Sequence, residues 1–232
     1  LVVSPRSLFA DLTINPDSLF ILDWTSLPLL HRLSKQLGIM PRTKLGISLH
    51  VVEFLEQKLQ EKQRSQPIEM TVEIIGDIVR PHFYPPEMHE RHINYLTELL
   101  VWIETHCTTR IVAEKLDALR QASLGEGAHE EHTQYLVDTA FLAAAPDAML
   151  VSDDSTFLQL SLRPGNTIST EAFLLALYPD EFETVIQPKL LDFHYLGLTI
   201  SSSLLLQEFK AAGGQFTGRA LQCLKCLPRQ ML

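Results

Sequence analysis

The chain has 232 residues, 46% of them apolar and 20% charged, which is enough for one sizeable core or two small ones and too apolar for disorder. Lys and Arg number 19 against 28 Asp and Glu, a formal net charge of −9. That balance argues against tight passive binding to nucleic acid, but not against a carboxylate-rich site that a metal would neutralise. Three cysteines (Cys107, Cys223, Cys226) are too few for a disulfide framework, and no apolar run approaches the about 18 residues of a membrane helix. With no leader pattern, the expectation is a cytoplasmic chain away from the membrane. Its opening on Leu1 suggests a piece of a longer protein.

After a loop-rich lead-in, Leu19-Phe-Ile-Leu-Asp-Trp24 is an apolar run broken by one acid and predicts a buried strand. Thr25 or Ser26 is placed to cap a helix carrying Leu30, Leu33 and Leu37, which Gly38 should stop. A second amphipathic helix is predicted from about Ser48 to Lys62, with Val51, Leu55 and Leu59 on its apolar face. Residues 69–79 alternate around Gly76-Asp77, which reads as a hairpin turn. Helices over 87–106 and 109–121 follow, then an exposed loop over 123–133. The α/β pattern resumes with a helix over Tyr135–Ala145, a strand over Ala148–Ser152, a short strand near Thr167–Ser169 and a capped helix from Thr170 to Tyr178. Residues 179–232 read as mostly helical. The domain expectation is a unit over 1–178, with a helical insertion at about 60–133, and a helical extension over 179–232.

Asp23 and Asp154 each end a predicted strand, and ligands of open parallel sheets bind outside such strand ends. Asp138 and Glu53 lie on helices able to flank them. Four converging carboxylates would make a hard-oxygen site suited to Mg²⁺ or Mn²⁺, of the kind that hydrolyses phosphodiesters. The plainer alternative is that Asp23 and Asp154 cap helices while Glu53 sits on a solvated face.

These segments resemble the PIN-domain superfamily of metal-dependent ribonucleases. Phe20-Ile-Leu-Asp23-Trp-Thr-Ser26 is similar to its opening strand, and Gly46-Ile-Ser-Leu-His-Val-Val-Glu53 to its second helix. Asp138-Thr-Ala-Phe-Leu-Ala-Ala-Ala145 is similar to its Asp-led, Ala-rich helix, and Met149 to Phe157 to the strand with hydroxyl residue, spacer and acid. The resemblance covers roughly 18–60 and 134–175. It implies a three-layer α/β/α sandwich with a mostly parallel sheet, a domain of a larger bacterial protein, and an endoribonuclease leaving 5′-phosphate and 3′-hydroxyl ends. On that register Asp23, Glu53, Asp138 and Asp154 hold the metal, Thr25 and Ser152 donate hydrogen bonds to the acids, and Asp153 is a spacer able to assist. The alternative of a different class is an inactive domain of this fold that binds protein partners or regulates a parent chain.

From Phe209 onward the chain carries Lys210, Arg219, Lys225 and Arg229 and no acid, so these four are candidate RNA contacts. Cys223-Leu-Lys-Cys226 has zinc-knuckle spacing but lacks two further ligands, and reads as helix packing. The pairs His89/His92 and His129/His132 lack a third ligand, and Trp24 and Trp102 read as core. No phosphate-cradling glycine loop, nucleophile elbow or Cys/His pair is visible.

Overall fold

The computed structural model describes residues 14–15, 17–41, 43–67, 70–75, 78–112, 131–154, 166–195, 198–200 and 202–226. Five strands make one all-parallel sheet in the order β5-β2-β1-β6-β7: β1 (Leu19–Leu22), β2 (Lys44–Ser48), β5 (Cys107–Arg110), β6 (Ala148–Val151) and β7 (Thr167–Ile168). Helices α1 (Ser26–Leu37), α2 (Leu49–Arg64), α3 (Pro86–His106), α4 (Glu131–Ala143) and α5 (Thr170–Leu177) connect and cover it, giving a three-layer α/β/α sandwich. A two-stranded antiparallel hairpin, β3 (Met70–Ile75) and β4 (Ile78–Phe83), stands apart from the sheet.

The central strand β1 is apolar throughout because both of its faces are covered. Alternate side chains serve opposite layers. Phe20 and Leu22 join the larger core, where the Phe20 and Phe173 rings lie 5.0 Å apart, while Ile21 joins Leu150, Ala143 and Ala148 in a smaller one. The small Ala140 and Ala143 let α4 approach that second face closely. Gly46 of β2 leaves room for the side chains of β1: a Cβ there would come within 2.8 Å of Ile21 Cδ1, and that side chain would have to shift. Ser48 caps α2 by accepting from the His50 N–H at 3.2 Å, and Gly38, at φ 64°, closes α1 with its N–H on Ser34 O.

Three local expectations change. Neither Thr25 nor Ser26 caps α1 with its side chain; the carboxylate of Asp23 takes the Thr25 and Ser26 N–H groups instead, at 3.0 and 2.8 Å. The helix expected over 109–121 does not begin at 109, because Cys107–Arg110 pairs in parallel with Leu45–Ser48 as an edge strand, where the β-branched Thr108 and Thr109 fit well. The stretch expected as a helical insertion therefore supplies part of the central sheet. The 69–79 hairpin forms with the expected two-residue connection between Ile75 and Ile78, although Gly76-Asp77 itself, like most of 109–121 and nearly all of the 123–133 loop, lies outside the described residues.

The C-terminal segment contains a π turn (Phe182–Ile186), α6 (Gln187–Asp192), α7 (Ser202–Ala211) and α8 (Gly218–Cys226). Phe182, Ile186, Leu190, Leu198, Leu204 and Cys223 are buried in the same cluster as Phe20. The extension thus shares the core of the sandwich.

Candidate active site

The register Leu22↔Val151 sets the residues that follow β1 and β6 side by side. Asp23 and Ser152 are both buried there, and the Ser152 hydroxyl donates to Asp23 Oδ2 at 2.6 Å. The Thr25 hydroxyl donates to Asp23 Oδ1 at 2.8 Å, beside the two N–H groups that open α1. Burial pushes the Asp23 carboxyl above the usual range, and the donors of Ser152, Ser26 and Thr25 oppose that shift.

The next two residues diverge. The Asp154 N–H donates to Ser152 Oγ at 3.1 Å, leaving Asp154 half-buried past the carboxyl end of β6. Asp153 turns to the C-terminal side: its Oδ1 accepts from the Thr170 N–H at 2.9 Å and from the Tyr195 hydroxyl at 2.5 Å. Its own N–H donates to Thr25 Oγ1 at 3.0 Å. Thr25 therefore joins Asp23 to Asp153, and Ser152 joins Asp23 to Asp154.

Behind Tyr195 lies a further acid. Glu171, 3% exposed, accepts from the Thr199 N–H at 2.9 Å and the Thr199 hydroxyl at 3.0 Å. Burial lifts its carboxyl to about 7, with the Thr199 donors opposing and Asp153 adding a smaller push upward. Burial, then the charge of Asp153, likewise raises the Tyr195 phenol, so it stays a donor.

Asp138 is fully buried on α4, and its Oδ2 accepts from Nδ1 of His50, in the first turn of α2. The other His50 nitrogen, Nε2, lies 3.9 Å from the exposed carboxylate of Glu53. His50 thus stands between two of the four predicted acids. Tyr135, one turn before Asp138, feels the negative charge of both Asp23 and Asp154 after the larger effect of its own burial, which places it near both strand ends. Its ring stacks on Phe54 at 5.2 Å, and Phe54 meets Trp24 edge-on at 5.5 Å.

The structure links Asp23 to Asp154 through a single serine, and Asp138 to Glu53 through His50. Among the described residues, no three His, Cys, Asp or Glu side chains are grouped so as to hold a metal ion. The donors themselves, carboxylate oxygens oriented by hydroxyls, are of the kind that suits a hard divalent cation. His50, Tyr135, Phe54 and Trp24 were not singled out as site residues in the sequence. The usable signal was spacing: His50 precedes Glu53, and Tyr135 precedes Asp138, by one helical turn.

The remaining candidates are placed as follows. Arg219 pairs with Asp192 at 2.9 Å and Glu208 at 3.1 Å, and so fastens α8 to α6 and α7. Lys210 and Lys225 are exposed on α7 and α8, and Arg229 lies outside the described residues. Cys223 is buried in the core, as the packing reading expects; the side chains of Cys226 and His132, and the whole of His129, are outside the description. Burial pushes the Cys107 thiol up to about 12, so it is no nucleophile at neutral pH. Trp102 is core, its indole N–H donating to Ser34 Oγ at 3.1 Å, whereas Trp24 is only half-buried. Among the described residues no helix is long and apolar enough to cross a membrane.

A parallel sheet between helical layers, with acids gathered past the ends of two adjacent strands, is the frame of a nuclease-like α/β domain. The family model of the PIN domain associated with the TPR-GreAB-C-PIN system matches residues 21–162, more than half the chain. The chain belongs to that PIN-domain family. No curated protein and no solved structure matches it.

Proposed function

We propose that the chain is a metal-dependent endoribonuclease in which Asp23, Glu53, Asp138 and Asp154 hold Mg²⁺ or Mn²⁺ in the cytoplasm. The carrying observation is Asp23, a buried acid held by hydroxyl and backbone donors one serine away from Asp154. A carboxylate kept under a burial penalty needs a counter-charge, and a divalent cation would also supply Lewis-acid stabilisation of a phosphodiester undergoing hydrolysis. The chain's own part is orientation: Ser152 and Thr25 fix Asp23, and the N–H groups that open α1 share its charge. Membership of a PIN family supports a nuclease-like superfamily, and the family's printed association with a TPR-GreAB-C system supports a larger chain or protein partner around this domain.

Single-stranded RNA incubated with Mn²⁺ or Mg²⁺ should be cut, and EDTA should stop the cutting. Asp23→Asn should abolish most of it. Equal cutting by wild type and variant would assign the activity to a contaminant and end this reading.

One observation favours a second reading, an inactive domain used for interaction or regulation. Asp138 is engaged by His50, and the described carboxylates do not form a group of three. Calorimetric titration with Mn²⁺ tests the enzyme reading, which requires binding that Asp138→Asn weakens and does not survive its absence. The interaction reading is compatible with metal binding, so a chain that binds Mn²⁺ but never cuts RNA keeps it.

A further inference from the structure

The acidic site sits at the first turn of α2, but the last turn of the same helix is different in kind. Lys62 lines a cavity of about 270 Å³ with Tyr84, which precedes α3, and with Met88, His89 and His92 from the start of α3, and among the described residues no acid lines it. Lys62 and Arg64 on α2 and Arg91 on α3 make no ion pair among the described residues, in a chain whose formal charge is −9. His92 is held below its usual pKa first by burial, then by Lys62 and His89, so at neutral pH its ring is a hydrogen-bonding group and Lys62 carries the charge. Lys62 is thus a positive charge in an acidic protein with no acid lining its cavity among the described residues. Lys62 in the last turn also complements the α2 dipole, but that does not explain the two histidines that α3 brings to the same cavity.

The two ends of α2 are joined by a surface of matching chemistry. Phe54, Lys58 and Lys62 are spaced by four and form one helical column. Phe54 stacks on Tyr135 beside Asp23 and Asp154, and the Lys58 ammonium lies 5.4 Å from the Phe54 ring centre while pairing with Glu61 at 2.8 Å, which leaves Lys62 as the cation of this column without an ion pair among the described residues. A half-buried aromatic cluster at one end of a helix face and a lysine at the other offer a single strand of nucleic acid rings for its bases and an ammonium for its phosphate. From Glu53 to Lys62 the helix advances about 14 Å, a span of a few nucleotides.

We propose that single-stranded RNA runs along α2, its bases against the Phe54 aromatic cluster and a phosphate anchored in the Lys62–His89–His92 cavity. This rests on the nuclease reading for the position of the cut, and it shifts the main phosphate anchor away from Lys210 and Lys225 on the C-terminal helices. Arg219 is already held by Asp192 and Glu208.

The test is binding of a fluorescently labelled oligouridylate to the full chain by anisotropy, across a range of salt and in EDTA so that nothing is cut. Lys62→Ala should weaken binding and reduce the slope of log affinity against log salt by about 0.7, the loss of one single-strand phosphate contact. Lys62→Arg should restore both, and melting curves should show all variants folded. The double change Lys210→Ala with Lys225→Ala should leave the slope unchanged. The proposal is overturned if wild type does not bind, if Lys62→Ala matches wild type in affinity and slope, or if the loss follows Lys210 and Lys225 instead. Cutting is scored separately. A chain that binds through Lys62 but never cuts keeps this path and loses the nuclease reading, and a chain that cuts with Lys62→Ala indistinguishable keeps the nuclease reading and loses the path.

Discussion

The two ends of α2 show opposite ways of managing charge. At its N-terminal end the acids are tied inward: Asp23 to Ser152 and Thr25, Asp153 to Tyr195 and Thr170, and Asp138 to His50. At its C-terminal end Lys62, His89 and His92 face an open cavity that no acid lines among the described residues. Buried charges are stable only when protein donors or a bound ion replace lost water, so the first region is organised by the chain itself. The second region is where the proposed RNA path places a phosphate.

The sharpest way to break this contrast is at the metal end. Hydrogen-bonding partners of metal ligands are worth about 10–100-fold in affinity or activity, so loss of a ligand itself should cost more than about 100-fold. Asp154→Asn should therefore cut RNA at less than about one hundredth of the wild-type rate, measured as single-turnover cleavage with Mn²⁺. Retained activity would mean that Asp154 is only a turn residue.

Glu171 tests how far the inward-tied network extends. Burial holds its carboxyl at about 7 against its ordinary 4.5, so above pH 4.5 the folded chain keeps a proton that the unfolded chain releases. The stability tied to that proton is complete below pH 4.5 and fades as pH rises through about 7. Between pH 4.5 and 8 the wild type should lose on the order of 3 kcal/mol relative to Glu171→Gln, which preserves both contacts to Thr199. Urea unfolding at several pH values measures the difference, and parallel pH profiles would remove Glu171 from the account.

A smaller effect is expected from Ser152→Ala, which takes a charged acceptor's donor from a fully buried acid. Loss of about 2 kcal/mol is expected, a fall in Tm of about 4–8 °C, together with weaker Mn²⁺ binding by calorimetry. A stable variant with unchanged metal binding would show that Thr25 and the α1 N–H groups suffice.

The smallest effect sharpens the distinction between cations that hold structure and cations that meet a ligand. Arg219→Ala removes partly exposed ion pairs with Asp192 and Glu208 and should cost about 1 kcal/mol, with the salt slope of RNA binding unchanged. A reduced slope would place Arg219 with Lys62.

Much of the frame was legible from local pattern. The apolar run of β1, the Gly38 stop and the strand over Ala148–Val151 follow from periodicity and turn chemistry within a few residues. So does the placement of Asp23 and Asp154 beyond two strands. Lys44–Ser48, by contrast, read as running into the second helix, forms β2 with Ser48 as the helix cap. The edge strand β5 was missed because its pattern, Cys107-Thr-Thr-Arg110 directly after a long amphipathic helix, becomes a strand only when β2 offers a parallel partner.

What the sequence by itself determined is which residues would be apolar, where chains turn, and which acids fall at strand ends, since all of these depend on neighbours along the chain. Only the tertiary structure decided who meets whom: Ser152 and Asp23 across 129 positions, His50 and Asp138 across 88, Tyr195 and Asp153 across 42. It also decided that Arg219 is spent on Asp192 and Glu208 while Lys62 faces a cavity. The reason is physical: a carboxylate's partner is set by sheet register and helix packing, which bring distant segments together, and no local period encodes that meeting.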